Sequence, residues 1–532
     1  MARHGMVATS QPLATEAGVA TLRRGGSAVD AAIAANAALG LTEPTSCGIG
    51  GDLFAIIWEA AKERLHGLNA SGRSPLSLRL AHLASLGSFI PQHGPLSVSV
   101  PGAVDGWFEL HARFGRLPLR ELLAPSIDLA RNGFLVTPVI GAAWAAGADF
   151  LHAAPGFADV FMPDGRAPAV GEPFVNPALA RAYDLIARDG RTAFYDGPIA
   201  SGIQEAVRGN GGFLGTEDLA AHRSEWVEPV ATTYRGWRVF ELPPNGQGIA
   251  VLQMLNMLEG FDLGSMTWGS AEHLHLLVET KKLAFEDRAK FYADPKFGAV
   301  PVERLVSKDY AAARRALIDL KRAAPSPTHG DLGVGAGDTV YLATADADGN
   351  MVSLIQSNYM GFGSGVTVVP FGFGLQNRGS QFALERKHAN AYAPGKRPFH
   401  TIIPAFARLG DEALLAFGVM GAAMQPQGQV QVLTNMFDFG LGLQGAGDAP
   451  RVRHEGSTEP TGEPPFPGGG WLHLEPGFDE AAVEGLRQRG HRIEPHRGSA
   501  AFGGYQAIKH DLRSGVYLGA SESRKDGHAA GH

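Results

Sequence analysis

Two short apolar runs separated by a polar pentad give the clearest structural signal in the chain. Val340–Ala345 (VYLATA) and Met351–Ser357 (MVSLIQS) are rich in β-branched and apolar residues, and Asp346-Ala-Asp-Gly-Asn350 lies between them. Asp-Gly flanked by such runs is the strongest short-range hairpin signal. With Asp348-Gly349 at the centre of a two-residue turn, Ala347 faces Asn350 and each outward step keeps the pair sum constant. Thr339 then lies opposite Asn358, with a register error of about two residues. A hydroxyl at the start of one strand thus faces a carboxamide at the end of its partner. On this geometry alone Thr339 is a β-branched strand residue like any other.

The rest of the pattern alternates between helix and strand. Gly5–Ser10 predicts a short strand, followed by a helix from about Thr15 to Arg24 that Gly25-Gly26 stops. Ser27 is the expected cap of a second helix, AVDAAIAANAALGL, whose alanines suit close helix packing. GIGGDLF, from Gly48 to Phe54, lacks the G-x-G-x-x-G spacing of a dinucleotide site and runs into the strand-like FAIIWE. Further on, FGVMGAAMQPQGQV predicts a strand, a glycine turn and a helix from about Gln427. Such a turn presents backbone N–H groups, and the helix dipole adds positive potential there. His273, His275 and Glu279 lie near one helix face, but the spacing is not H-E-x-x-H and no metal site is expected. Residues 323–337 have the composition of an exposed linker. Without internal repeats, the chain is expected to form one interwoven body.

Composition narrows the class. Hydrophobic content of 45% with 19% charged residues is that of a globular chain, and a net charge of −7 offers no nucleic-acid footprint. The single cysteine, Cys47, excludes an intrachain disulfide and a cysteine-based zinc site, and its apolar surroundings point to an inert buried thiol. No apolar run approaches the length of a membrane span. The N-terminus shows no charged segment followed by an apolar one, so no signal peptide is visible and a cytoplasmic location is expected.

Around the hairpin the motifs D-T (338–339), D-x-D-G-N (346–350), S-x-x-x-S-N (353–358), G-F-G-S-G (361–365) and L-Q-N (375–377) follow in order. Together they resemble the core of the γ-glutamyltranspeptidase family, and similar stretches continue over nearly the whole chain. The resemblance implies an α/β (α+β) chain folded as the four-layer αββα sandwich of the N-terminal-nucleophile hydrolases. It implies self-cleavage between Asp338 and Thr339, giving an associated large part (1–338) and small part (339–532). Thr339 would be the nucleophile, and its freed α-amine, titrating near 8, would serve as base. Asn358 would orient the nucleophile or its acyl form, and the amides of Gly421 and Ala422 would form an oxyanion hole. Ala can replace Gly there provided its φ is negative. On the substrate side the resemblance places Arg73, Gln356, Asn377, Arg378, Gln381, His400 and Thr401. No cofactor, metal, nucleic acid or membrane partner is implied; the expected partner is a small amide.

The chain departs from the glutamyl-specific pattern where the substrate's α-amino acid head would sit. Arg378 replaces an acidic or amide residue, Gln381 stands where an aspartate would meet the ammonium, and His400-Thr401 replace paired serines. Arg73 lies two residues before Pro75, whereas the family's carboxylate-holding arginine lies four before. An arginine facing an ammonium is repulsive. The pocket therefore suits an anion without an amine, in keeping with the oxamate amidohydrolase and dicarboxylic acylases that the family contains. A γ-glutamyltransferase or glutathione hydrolase, and a non-catalytic relative, are the alternatives.

Overall fold

The computed structural model describes residues 1–325, 339–494 and 498–532. Most of the expected linker and the residue Asp338 lie outside these.

Two antiparallel sheets stack face to face. The first, of seven strands, runs in the order His528–Gly531, Met6–Thr9, Val340–Ala345, Met351–Ser357, Asp52–Glu59, Arg64–Ala70 and Glu225–Val227. The second, of six, runs Val516–Ser521, Tyr505–Asp511, Ala413–Val419, Ala405–Leu409, Trp237–Glu241 and Val230–Tyr234. Segments from before and after residue 339 alternate within the first sheet and meet in the second.

The central hairpin is buried on both faces, which is why its sequence reads as a continuous apolar run. Tyr341, Ala343 and Ile355 point into the space between the sheets, against Phe406, Leu414 and Ile508. Val340, Leu342, Val352 and Leu354 point the other way, into the helices that cover the first sheet. One of these is Ala28–Thr42, opened by a reciprocal capping box between Ser27 and Asp30. The helix before it spans Pro12–Arg23, three residues earlier than expected. Gln11 accepts from the N–H groups of Leu13 and Ala14, and Pro12 takes the first helical position. The outer face of the second sheet carries Ile249–Leu258, Ala271–Phe291 and Met424–Phe437. The result is the four-layer αββα sandwich. Among the described residues, no helix is long and apolar enough to cross a membrane.

Candidate active site

The hairpin turn fixes the first part of the site. Asp346 and Asn350 close the loop with an N–H to carbonyl bond of 3.0 Å, and Gly349 adopts φ 86°. Three residues, Ala347–Gly349, therefore make the turn, with glycine at its left-handed position. Ala345 pairs with Met351 and Val340 with Gln356. The register is one residue from the expected one, so Thr339 faces Ser357 and not Asn358. Thr339 Oγ1 donates to Ser357 Oγ at 3.1 Å, and Thr339 is fully buried.

A one-residue slip sends every side chain to the other face. Asn358 accordingly turns toward the glycine loop, where a Cβ on Gly51 would lie 2.5 Å from its Oδ1. No described group donates to that oxygen. Gln356, expected on the substrate side, also faces away. Its amide donates to the Gly48 carbonyl and accepts from Asn36 Nδ2 at 3.0 Å. The G-I-G-G stretch has a steric origin, since a Cβ on Gly50 would collide with the Gly374 carbonyl.

Arg378 enters next to Ser357. Its Nη2 lies 3.3 Å from Ser357 Oγ, and its Nη1 donates to Thr401 Oγ1 at 2.7 Å. The guanidinium carbon sits 4.2 Å from the centre of the Tyr359 ring. Arg378 is 0% exposed, yet no carboxylate of a described residue lies within ion-pair distance of it, and its Nε has no partner. Burial lowers its pKa to about 10, so it stays charged at neutral pH. The carboxylate whose field reaches Arg378 is that of Asp52, which opens the strand facing Ser357. Asp52 Oδ1 accepts from the N–H of Gly72 (3.0 Å) and Gly102 (3.1 Å), and Oδ2 from Gln376 Nε2 (3.1 Å). Burial pushes its carboxyl up to about 7, against the pull of Arg378.

His400, expected as a substrate ligand, instead supports Asp52. Burial holds the ring well below its ordinary pKa, hence neutral. Ile402 N donates to Nδ1 at 3.4 Å, which leaves the proton on Nε2, 3.0 Å from Asp52 Oδ2.

The third part is the turn after Ala413–Val419. A Cβ on Gly418 would meet the Tyr341 ring, and Ser353 Oγ reaches the Phe417 carbonyl at 3.5 Å. Chain direction then carries the turn toward the Thr339 end of the hairpin. Gly421 has φ 113° and Ala422 φ 49°, so the alanine is left-handed, contrary to the expected negative φ. For a residue with a Cβ that conformation costs about 1–2 kcal/mol. Its carbonyl accepts from Gln425 N at 3.1 Å, which starts the helix at Met424, three residues before Gln427. Among the described residues the N–H groups of Gly421 and Ala422 have no acceptor.

The side chains of other expected residues are engaged in the framework around this cluster. Arg73 is committed to Glu225 (2.7 Å) and Asp294 (3.4 Å), so its guanidinium already has carboxylate partners. Asn377 braces a loop, donating to the Gln92 carbonyl at 2.7 Å and accepting from Met360 N at 3.1 Å. Gln381 ends the short helical turn that Arg378 begins, and its carbonyl accepts from Asn390 Nδ2 at 2.6 Å. His275 and Glu279 meet His491 rather than His273, with ligand atoms within 4.8 Å of one another. Those atoms are engaged: His275 Nδ1 bonds His491 Nε2 at 2.8 Å, and Glu279 takes Lys282 Nζ (2.8 Å) and Ala324 N (3.1 Å). Ser357, Asp52 and Tyr359 were not anticipated. Counting three loop residues in the hairpin would have found the first.

The γ-glutamyltranspeptidase family profile matches residues 14–532. The crystal structure of a cephalosporin acylase from Bacillus halodurans is similar, with 44% identity and a TM-score of 0.92 over 100% of this chain and 96% of that one. The glutathione hydrolase-like YwrD proenzyme of Bacillus subtilis is 38% identical, covering 99% of this chain and 98% of that one. The oxamate amidohydrolase proenzyme of Klebsiella pneumoniae is 35% identical over 99% and 98% of the two chains. The chain belongs to the γ-glutamyltranspeptidase family of N-terminal-nucleophile hydrolases.

Proposed function

We propose that this chain is an amidase that cuts itself before Thr339 and then hydrolyses small amides whose acyl group carries a second carboxylate. The observation that carries this reading is Arg378, a buried guanidinium without a carboxylate partner among the described residues, one hydroxyl away from Thr339. Such a charge is costly to bury alone, and a substrate carboxylate would complete it. The proenzyme names of the two curated relatives support processing, and the acylase and oxamate amidohydrolase support amide chemistry.

In this mechanism the cut frees the Thr339 α-amine, which takes the hydroxyl proton as Oγ1 attacks the amide carbonyl. The developing oxyanion accepts from the amides of Gly421 and Ala422. The proton passes to the leaving amine, and water then resolves the acyl-Thr339 ester. Arg378 holds the distal carboxylate and so sets which carbonyl meets the nucleophile. A panel of oxamate, a glutaryl amide and the matching γ-glutamyl amide tests the reading. Clear preference for the γ-glutamyl donor would assign the chain to γ-glutamyl transfer instead.

Ser357→Ala is expected to lower kcat about 100-fold, the lower end of what positioned proton-transfer groups contribute. Asn358→Ala, assayed on cleaved protein, should leave kcat within about threefold because its side chain faces the glycine loop. The opposite ranking would restore the original register.

Asp52 gives a pH signature. Its carboxyl is raised from 3.8 to about 7. Between those values the folded chain holds a proton that the unfolded chain releases, so this group's contribution to stability is lost as pH rises through 7. Above pH 7 the ionised Asp52 also competes for the field of Arg378. KM for an acidic amide is therefore expected to rise between pH 6 and 8, and to stay flat in Asp52→Asn. KM profiles of the two proteins make the comparison.

A further inference from the structure

Gln247 lies in the loop between Trp237–Glu241 and Ile249–Leu258 and is fully buried. Its Nε2 donates to the carbonyl of Thr401 at 2.7 Å and to the carbonyl of Ala422 at 2.9 Å. Its Oε1 accepts from Arg288 Nη1 at 2.8 Å. The orientation of this amide is chemically forced: a guanidinium can only donate and a carbonyl can only accept, so oxygen must face Arg288 and nitrogen the two carbonyls.

The two carbonyls belong to different halves of the site. Thr401 is the residue whose hydroxyl takes Arg378 Nη1. Ala422 is the left-handed alanine of the amide-presenting turn, a conformation that persists only when its surroundings hold it. Arg288 is itself fixed. It comes from Ala271–Phe291, is fully buried, lies 3.7 Å over the Phe285 ring, and donates Nη2 to Glu459 at 2.5 Å.

We propose that Gln247 is a positioning residue whose single carboxamide locks the Ala422 turn and the Thr401–Arg378 pair into one unit. Anion binding and oxyanion stabilisation are thereby held in register, so that an acyl group gripped at its far carboxylate presents its carbonyl to the turn. The inference rests on the amidase reading of the site.

Two variants, each confirmed as folded and cleaved, test it with a glutaryl amide and its uncharged butyryl counterpart. Gln247→Met removes all three hydrogen bonds. It is expected to lower kcat about 10²-fold, the scale of a lost oxyanion donor, and to shrink the preference for the acidic substrate at least about tenfold. Gln247→Glu keeps the acceptor for Arg288 but points an oxygen at two carbonyls, and is expected to be equally impaired. Recovery of wild-type kcat in Gln247→Glu would mean that the side chain only balances Arg288, and the proposal would fall. It would fall equally if Gln247→Met kept kcat within about threefold and the same preference. Variants that fold uncut, or do not fold, would assign the carboxamide to the framework and overturn it too. The wild type keeps the two levels apart: activity that survives Thr339→Ala sinks the amidase reading, whereas Thr339-dependent activity indifferent to Gln247 sinks only this inference.

Discussion

Thr339→Ala is expected to yield one 532-residue chain with no measurable amidase activity, whereas the unmodified protein is expected to give fragments 1–338 and 339–532. Both losses have one cause. In the proposed mechanism the hydroxyl that attacks the preceding peptide bond during processing is the one that later attacks substrate, and alanine offers neither step a nucleophile. Thr339→Ser should keep both reactions at reduced rate, because the primary hydroxyl occupies the same side of the hairpin without the methyl that restricts its rotamer. Intact-mass measurement reads the first outcome and a product assay the second. A full-length, fully active wild-type chain would remove Thr339 from its role. The fold itself should survive in Thr339→Ala, since the hairpin is held by its ladder and by the apolar residues on both faces.

Arg378→Met is expected to separate catalysis from stability. Met approximates the length of the side chain but leaves no charge to meet a substrate carboxylate. kcat/KM for a glutaryl amide should fall about 10²–10³-fold, the usual scale for removing one partner of a buried charge pair. The loss for an uncharged butyryl amide should stay below about tenfold. The same variant should melt a few degrees higher, because it no longer buries a guanidinium with an unpartnered Nε. Arg378→Lys should recover part of the affinity but not the two-pronged orientation. Equal losses on both substrates, together with a lower melting temperature, would make Arg378 a structural residue.

How far the sequence reached depends on the range of the interactions involved. The hairpin, the capped helix after Ser27 and the strand after the glycine loop were legible because local chemistry determines them. Even there, the turn hid a third residue. Asp-Gly fits a two-residue turn and a three-residue one alike, and the choice decided whether Ser357 or Asn358 meets Thr339. Arg73 illustrates the other limit. It sits in a polar loop like a free ligand-binding arginine, but its partner Glu225 comes 152 residues later. Asp52, Gln247 and Arg288 were silent for the same reason, as each acquires its place only when distant segments assemble. Ala422 failed on strain: nothing local reveals that this alanine is left-handed, with a carbonyl that meets a carboxamide 175 residues earlier in the chain.

The interleaving of segments within the first sheet has a consequence for the proposed cut. The strand that Thr339 precedes is bonded on one side to Met6–Thr9, while its hairpin partner is bonded to Asp52–Glu59, so the small part is clasped by the large one within a single ladder. Before cleavage, folding is a unimolecular event. Afterwards the same native structure is a complex of two polypeptides, and its unfolding releases two particles instead of one. Dilution then favours the unfolded side, as it does for any obligate heterodimer. The proposed processing would thus convert a protein whose stability is a property of its sequence into one whose stability also depends on how much of it is present.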